Sequence, residues 1–189
     1  VGPYLNQAEP EGLAAFDAQA QRLAEAGCRV ERIPVLAGIE ELNQLHRRMV
    51  FAEFAREHAE MFDQHADLYR PRTAEIIQIG RKVTENELAA ARANGPRLRK
   101  ELEAHMAAAG IDLWVCPAAC GPAPAGIHAT GDPNMSLPWT HTGMPVVNLP
   151  AGYSENRLPL SLQFIAPFGD DEALLSWAQV FGRIMCHDS

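Results

Sequence analysis

Between residues 10 and 26, apolar side chains recur at helical spacing as Leu13, Phe16, Ala20 and Leu23. Pro10 suits the first turn and Gly27 suits a left-handed stop, so the pattern predicts a helix over 10–26. Residues 28–36 (CRVERIPVL) then alternate Val30 and Ile33 loosely among polar positions, which fits a short strand. From there Ile39, Leu42, Leu45, Met49, Ala52 and Phe62 recur every three or four positions with charges between them. One long amphipathic helix is expected over 38–68. Thr84 followed by Glu87 has capping-box spacing, and Leu88, Ala91, Leu98, Leu102 and Met106 carry a helical stripe to Gly110. Gly95-Pro96 should kink or split that helix.

Beyond residue 110 the pattern changes. Short apolar runs at 112–116 (DLWVC), 145–149 (PVVNL) and 160–165 (LSLQFI) read as buried strands. A last helix begins near Asp170 or Asp171, whose carboxylates suit a positive helix N-terminus, and carries Leu174, Leu175, Ala178, Phe181 and Ile184. Residues 110–169 hold 16 of the 28 Gly and Pro residues, so loops concentrate here. The fold class expected is α/β, with helices packed on a mixed β-sheet. A chain of 189 residues suits one domain, or a fragment of one: a mainly helical section over 1–110 and a strand-and-loop section with a terminal helix over 111–189.

Composition narrows the partners. The net charge is -8 and only Arg157 and Arg183 lie beyond residue 110, which disfavours nucleic acid. No apolar run approaches the roughly 18 residues that cross a bilayer, and the start lacks the pattern of a signal peptide, so a cytoplasmic protein without a membrane partner is expected. Cys28, Cys116, Cys120 and Cys186 are too sparse for a disulfide framework and read as reduced thiols. The chain opens on Val1 rather than Met, and an upstream segment is expected.

Candidate chemistry is thin. The serines are Ser136, Ser154, Ser161, Ser176 and Ser189, and none lies in a G-x-S-x-G elbow; Ser154 in GYSEN comes nearest and reads as a turn residue. The only lysines, Lys82 and Lys100, sit in charged helical sequence, so no Ser-Lys pair is apparent. Cys116-x3-Cys120 has the wrong spacing for a metal knuckle, His58 and His65 lie seven apart on one predicted helix, and no H-E-x-x-H occurs. Glycine-rich phosphate cradles are missing too, and Asn134-Met135-Ser136 is a glycosylation triplet without a secretory signal. What remains is a long Gly- and Pro-rich loop over 117–139. It carries Thr130, Met135 and Trp139, which suit either a pocket wall or a cap on the core.

In order, DLWVCPAACGPAPAG (112–126), TGDPNMSLPWTHTGMPVVNLPAG (130–152) and LPLSLQFIAPFGDDEALLSWA (158–178) resemble the C-terminal part of amidase-signature hydrolases. The shared pattern is a strand ending in Pro, an Asn-bearing turn, Gly-x-Pro before a strand ending in Pro-x-Gly, a Leu-Pro-x-x-Leu-Gln strand, and an acidic start to the last helix. The first 110 residues resemble the variable helical section ahead of it.

The resemblance implies cleavage of carboxamide C–N bonds through a serine acyl-enzyme, using two serines and a lysine on a Gly-Ser-rich segment, with no metal or organic cofactor. That segment is not in this sequence, so the resemblance implies no catalytic residue here. The chain would instead supply sheet strands and a pocket wall to a longer enzyme. By position, Thr130, Gly131, Asn134, Trp139, Thr140, Gly143 and Met144 match the pocket-side loop, with the Gly143-Met144-Pro145 turn able to approach a small-molecule amide substrate closely. Two other functions stay open: a noncatalytic binding or assembly protein, and one component of a glutamine-dependent amidotransferase. A truncated sheet would leave an open edge, so self-association of the isolated chain is expected.

Overall fold

The computed structural model describes residues 2–185; Cys186 and Ser189 lie outside the described residues. Chain contacts divide it into two units, one gathering the described residues of Val1–Ile39 and Arg99–Ser189, the other Glu40–Leu98.

The first unit is built on a three-stranded sheet, β1 (Trp114–Pro117), β2 (Val146–Tyr153) and β3 (Pro159–Ile165), in the order β1-β3-β2. The α/β layering agrees with the sequence. Both pairings are antiparallel where a mixed sheet is expected, because β3 turns back from β2 and pairs on its other side with β1. The turn is tied twice: Ser154 N–H donates to Leu158 O at 2.8 Å, and Leu158 N–H donates to Ser154 Oγ at 3.0 Å.

Alternation along β3 sorts the sheet into two faces. Leu162, Phe164 and Ala166 turn toward a core shared with Phe16 and Leu23 of α1 (Pro10–Glu25) and with Leu174, Phe181 and Met185 of α7 (Asp171–Met185). Helix α1 starts with Pro at its first turn, as expected. Gly12 lets it approach the Cys120 carbonyl, which a Cβ would meet at 2.7 Å. Gln19, buried on the same helix, donates to Ala151 O on β2 at 3.3 Å. The opposite face carries Cys116 of β1 beside Gln163 of β3.

Residues 28–36 form no strand in the described structure. The strand expected there lacks an adjoining ladder, without which alternation alone does not make a strand. Side chains hold the segment instead: Arg29 donates to the terminal carbonyls of Ala109 and Gly110, and Arg32 pairs with Asp17.

The second unit holds α2 (Ile39–Glu57, from its second residue), α3 (Ala59–His65), α4 (Pro71–Gly80) and the start of α5 (Glu85–Ala109). The single helix expected over 38–68 is thus two helices followed by a 3-10 turn, Ala66–Leu68. The break falls at His58, whose ring lies 4.2 Å from that of Phe54 and whose Nδ1 is 2.8 Å from the Tyr69 hydroxyl. Ala55, Phe62 and Ile77 form a small core. Helix α5 is not split at Pro96. The Thr84–Glu87 capping box is complete: Thr84 N–H and hydroxyl donate to the Glu87 carboxylate, and Glu87 N–H donates back to Thr84 Oγ1. The backbone hydrogen bond, followed by the hydroxyl one, holds the Glu87 carboxyl below its ordinary range. Its support of the cap is therefore present above that range and is lost as pH falls through the lowered value.

Among the described residues no helix is long and apolar enough to cross a membrane.

Candidate functional site

The loop after β1 contains regular structure that its Gly and Pro content does not announce. A 3-10 turn, Pro133–Met135, is followed by a short helix α6 (Leu137–Thr142) with Pro138 near its start. Asp132 caps the turn by accepting from Asn134 N–H at 3.0 Å. Gly143 ends α6 in the left-handed conformation, φ 71°, with its N–H on Trp139 O at 2.9 Å.

These two elements close over the polar face of the sheet and bury a connected cluster. Tyr4 Oη lies 2.6 Å from Met135 O, 3.1 Å from Trp139 Nε1 and 3.1 Å from Cys116 Sγ. A phenol has one proton, and the Met135 carbonyl at the shortest distance takes it, so the indole N–H donates to the phenol oxygen and the thiol is left to do the same. Gln163 Nε2 lies 3.2 Å from both Met135 O and Cys116 Sγ, and its Oε1 is 3.4 Å from Ser136 Oγ. The Tyr4 and Trp139 rings meet edge to face at 5.9 Å.

Electrostatically the cluster is inert. Burial pushes the Tyr4 phenol well above its usual range, with Cys116 adding to the shift. Burial likewise pushes the Cys116 thiol up, against hydrogen bonds that pull it down. Cys120 is raised by burial and then by the Asp132 carboxylate. Near neutral pH the phenol and both thiols are protonated, which suits a locked scaffold and not a base or nucleophile. Tyr4→Phe should therefore act on stability: it leaves the Trp139 indole N–H and the Cys116 thiol short of a partner, at a cost of about 1–3 kcal/mol. Urea unfolding of the two proteins checks this, and a loss under about 0.5 kcal/mol would show that the hydroxyl is dispensable.

The expected pocket residues separate. Thr130 and Gly131 are exposed at the far end of the loop, and Asn134 is half-buried in the 3-10 turn. Thr140 is exposed, its hydroxyl on Ser136 O at 3.2 Å, whereas Met144 is buried. Gly143 is exposed, near Phe168 and Arg99; the Arg99 guanidinium carbon lies 3.8 Å from the Phe168 ring centroid. Of the seven, only Trp139 lines a cleft of about 390 Å³ in the first unit. Tyr4 and Cys116 line it as well, and neither is marked by any motif as a pocket residue. Gln163 carries a signal in the Leu-Gln pair of β3.

Three of the described serine hydroxyls are held by hydrogen bonds: Ser136 with Ala118 O and Gln163, Ser154 with Leu158 N–H, and Ser176 with Glu172 O.

A family model described as Amidase matches residues 3–175. The chain is 25% identical to an amidase of known crystal structure, with a TM-score of 0.81, covering 96% of this chain and 44% of that one. A bacterial aryl acylamidase of the amidase signature family aligns with a TM-score of 0.71 at 17% identity, covering 94% of this chain and 41% of that one, a likeness of fold. Over 45 residues, 24% of this chain, the sequence is 46% identical to a glutamyl-tRNA(Gln) amidotransferase subunit from Psychrobacter sp. (strain PRwf-1), of which that stretch is 9%. The chain thus spans less than half the length of the structures it matches, and its aligned stretch under a tenth of that curated relative.

Proposed function

Since the chain belongs to the amidase family, we propose that it forms the sheet-and-wall part of an enzyme that hydrolyses carboxamides, with the nucleophile supplied by polypeptide outside these 189 residues. The observation that carries this reading is the family match across residues 3–175 of a chain whose sequence lacks the Gly-Ser-rich serine segment and has no adjacent serines.

In the full enzyme a serine hydroxyl attacks the carboxamide carbon and its proton passes to the departing nitrogen. Backbone N–H groups hold the oxyanion, the C–N bond breaks with release of ammonia or an amine, and water frees the acid and restores the serine. The chain's share is positional. Thr130 and Gly131 before the 3-10 turn, Asn134 on it, Trp139 and Thr140 on α6, and Gly143 and Met144 after it are the residues we assign to the substrate-side wall; they do not meet in one pocket within this chain, and the Tyr4–Cys116–Gln163 cluster anchors the turn and α6 to the sheet. The chemistry needs no cofactor, and the setting we infer is cytoplasmic.

The test is ammonia or amine release from a panel of linear carboxamides, assayed with the protein isolated from its source and with residues 1–189 alone. Turnover by the first and none by the second is expected; turnover by residues 1–189 alone, or by neither, overturns the reading. The 45-residue likeness to an amidotransferase component favours a second reading, in which the same chemistry delivers ammonia from glutamine to an acceptor. Glutamine-dependent amide transfer by the protein from its source would select it.

A further inference from the structure

The Tyr4–Cys116–Gln163 cluster anchors the 3-10 turn and Trp139 of α6, and a separate set of contacts grips the far end of that helix. Arg99 and Glu103 stand four residues apart on α5, so their side chains share one face of it. Arg99 Nη1 donates to the carbonyl of Thr142, the last residue of α6, at 3.4 Å, and the guanidinium covers the Phe168 ring at 3.8 Å. Glu103 accepts the Phe168 N–H at 3.0 Å. Gly143 fits against this pair: an added Cβ would lie 3.7 Å from Phe168 Cε2 and 3.8 Å from Arg99 Nη1. Two residues on, the Pro145 carbonyl accepts Ala166 N–H at 3.2 Å, so the turn over Thr142–Pro145 is held at both ends. Phe168 is 56% exposed, so burial of its ring supplies little of what keeps it there. Among the described residues Arg99 forms no ion pair; its charge is directed at the ring and at the carbonyl end of α6, where a cation is favoured. An arginine ordered over an exposed ring, against the rotamer entropy that this costs, fixes geometry more than it adds core.

We propose that Arg99 is a positioning residue: stacked on Phe168 and bonded to Thr142 O, it sets where the Thr142–Pro145 turn stands, and so where Gly143 and Met144 present the substrate-side wall. Gly143 creates the need. It ends α6 at φ 71°, and a glycine visits that region about as readily as any other, so the backbone of the turn does not fix itself. The place of a wall enters the binding of substrate and transition state alike, so the clamp acts on affinity and not on the chemical step. The wall role rests on the function proposed above, whereas the clamp itself does not.

The test compares the protein as its source makes it with Arg99→Ala, Arg99→Lys and Phe168→Leu variants of the same length. Hydrogen exchange at the Gly143 amide, held by Trp139 O, reads the clamp without reference to activity, and the Ala118 amide, held by Ser161 O, is the control. Arg99→Ala should speed exchange at Gly143 by at least about tenfold and leave Ala118 unchanged. On a carboxamide that the parent turns over, Arg99→Ala should raise KM about fivefold with kcat within about twofold. Arg99→Lys keeps a cation over the ring and should recover most of that loss. Phe168→Leu should raise KM likewise, and combining it with Arg99→Ala should raise KM no further, since both break one contact. Unchanged exchange at Gly143, exchange that rises equally at Ala118, an unchanged KM, a loss confined to kcat, or additive effects of the two substitutions overturns the proposal. A parent that turns over no carboxamide overturns the proposed function and the wall role with it, while exchange at Gly143 still decides the clamp.

Discussion

Phe164→Ala is expected to lower the unfolding free energy of the sheet unit by about 3–5 kcal/mol. Phe164 sits on β3, the central strand, is 1% exposed, and its ring stacks on that of Phe181 at 4.7 Å and 7°. Trp177 stacks in turn on Phe181 at 5.6 Å, so the ring is one layer of a three-ring pile joining the sheet to α7. Truncation removes the transfer energy of the ring, opens a cavity walled by a sheet and two helices that cannot collapse into it, and forfeits a stack worth about 0.5–1.5 kcal/mol. The check is the urea midpoint followed by circular dichroism, with an unchanged slope. Leu175→Ala, on the same helix but 60% exposed, should stay within about 0.5 kcal/mol of the parent. Equal losses at the two positions would contradict the packing described.

Gly80→Ala should invert the usual helix rule. Alanine in place of a helical glycine ordinarily gains about 1 kcal/mol. At Gly80, the last residue of α4, an added Cβ would overlap the Phe51 carbonyl oxygen of α2 and come within 2.9 Å of Ala55 Cβ. The obstacle is backbone inside a helix and cannot swing aside, so α4 must move off α2. Overpacking of this kind costs about 1–3 kcal/mol and occasionally more, enough to overcome the propensity gain. Gly182 in α7 has nothing within 4 Å of such a Cβ, and Gly182→Ala should follow the ordinary rule with a gain of about 0.5–1 kcal/mol. Thermal unfolding of the pair reads the contrast directly, and shifts of the same sign would refute it.

Features governed by neighbours in sequence are the ones that reading along the chain recovers. Helix α1 behind Pro10, the Thr84–Glu87 cap and the acidic start of α7 each depend on contacts within four residues, and each stands as expected. The break at His58 depends on Tyr69, eleven residues on, and periodicity runs straight through it. Helix α4 is not legible in the pattern although Pro71 marks its first turn, because ten residues give a short stripe. Val30 and Ile33 carry a strand pattern, but a strand also needs a ladder beside it. The site divides in the same way. Trp139 is legible as an apolar ring in a loop; Tyr4, 131 residues from the Met135 carbonyl it holds, has no local signature at all.

Those long separations set a clock for synthesis. Gln19 of α1 meets its carbonyl on β2 132 residues later, and the apolar face carrying Phe16 and Leu23 is completed by Phe164 and Phe181, later still. At a translation rate of about 5–20 residues per second, α1 leaves the ribosome on the order of ten seconds before the surface it packs on exists. During that interval its apolar stripe faces solvent or a chaperone, so the nascent chain is most open to misassociation long before its last strand is made.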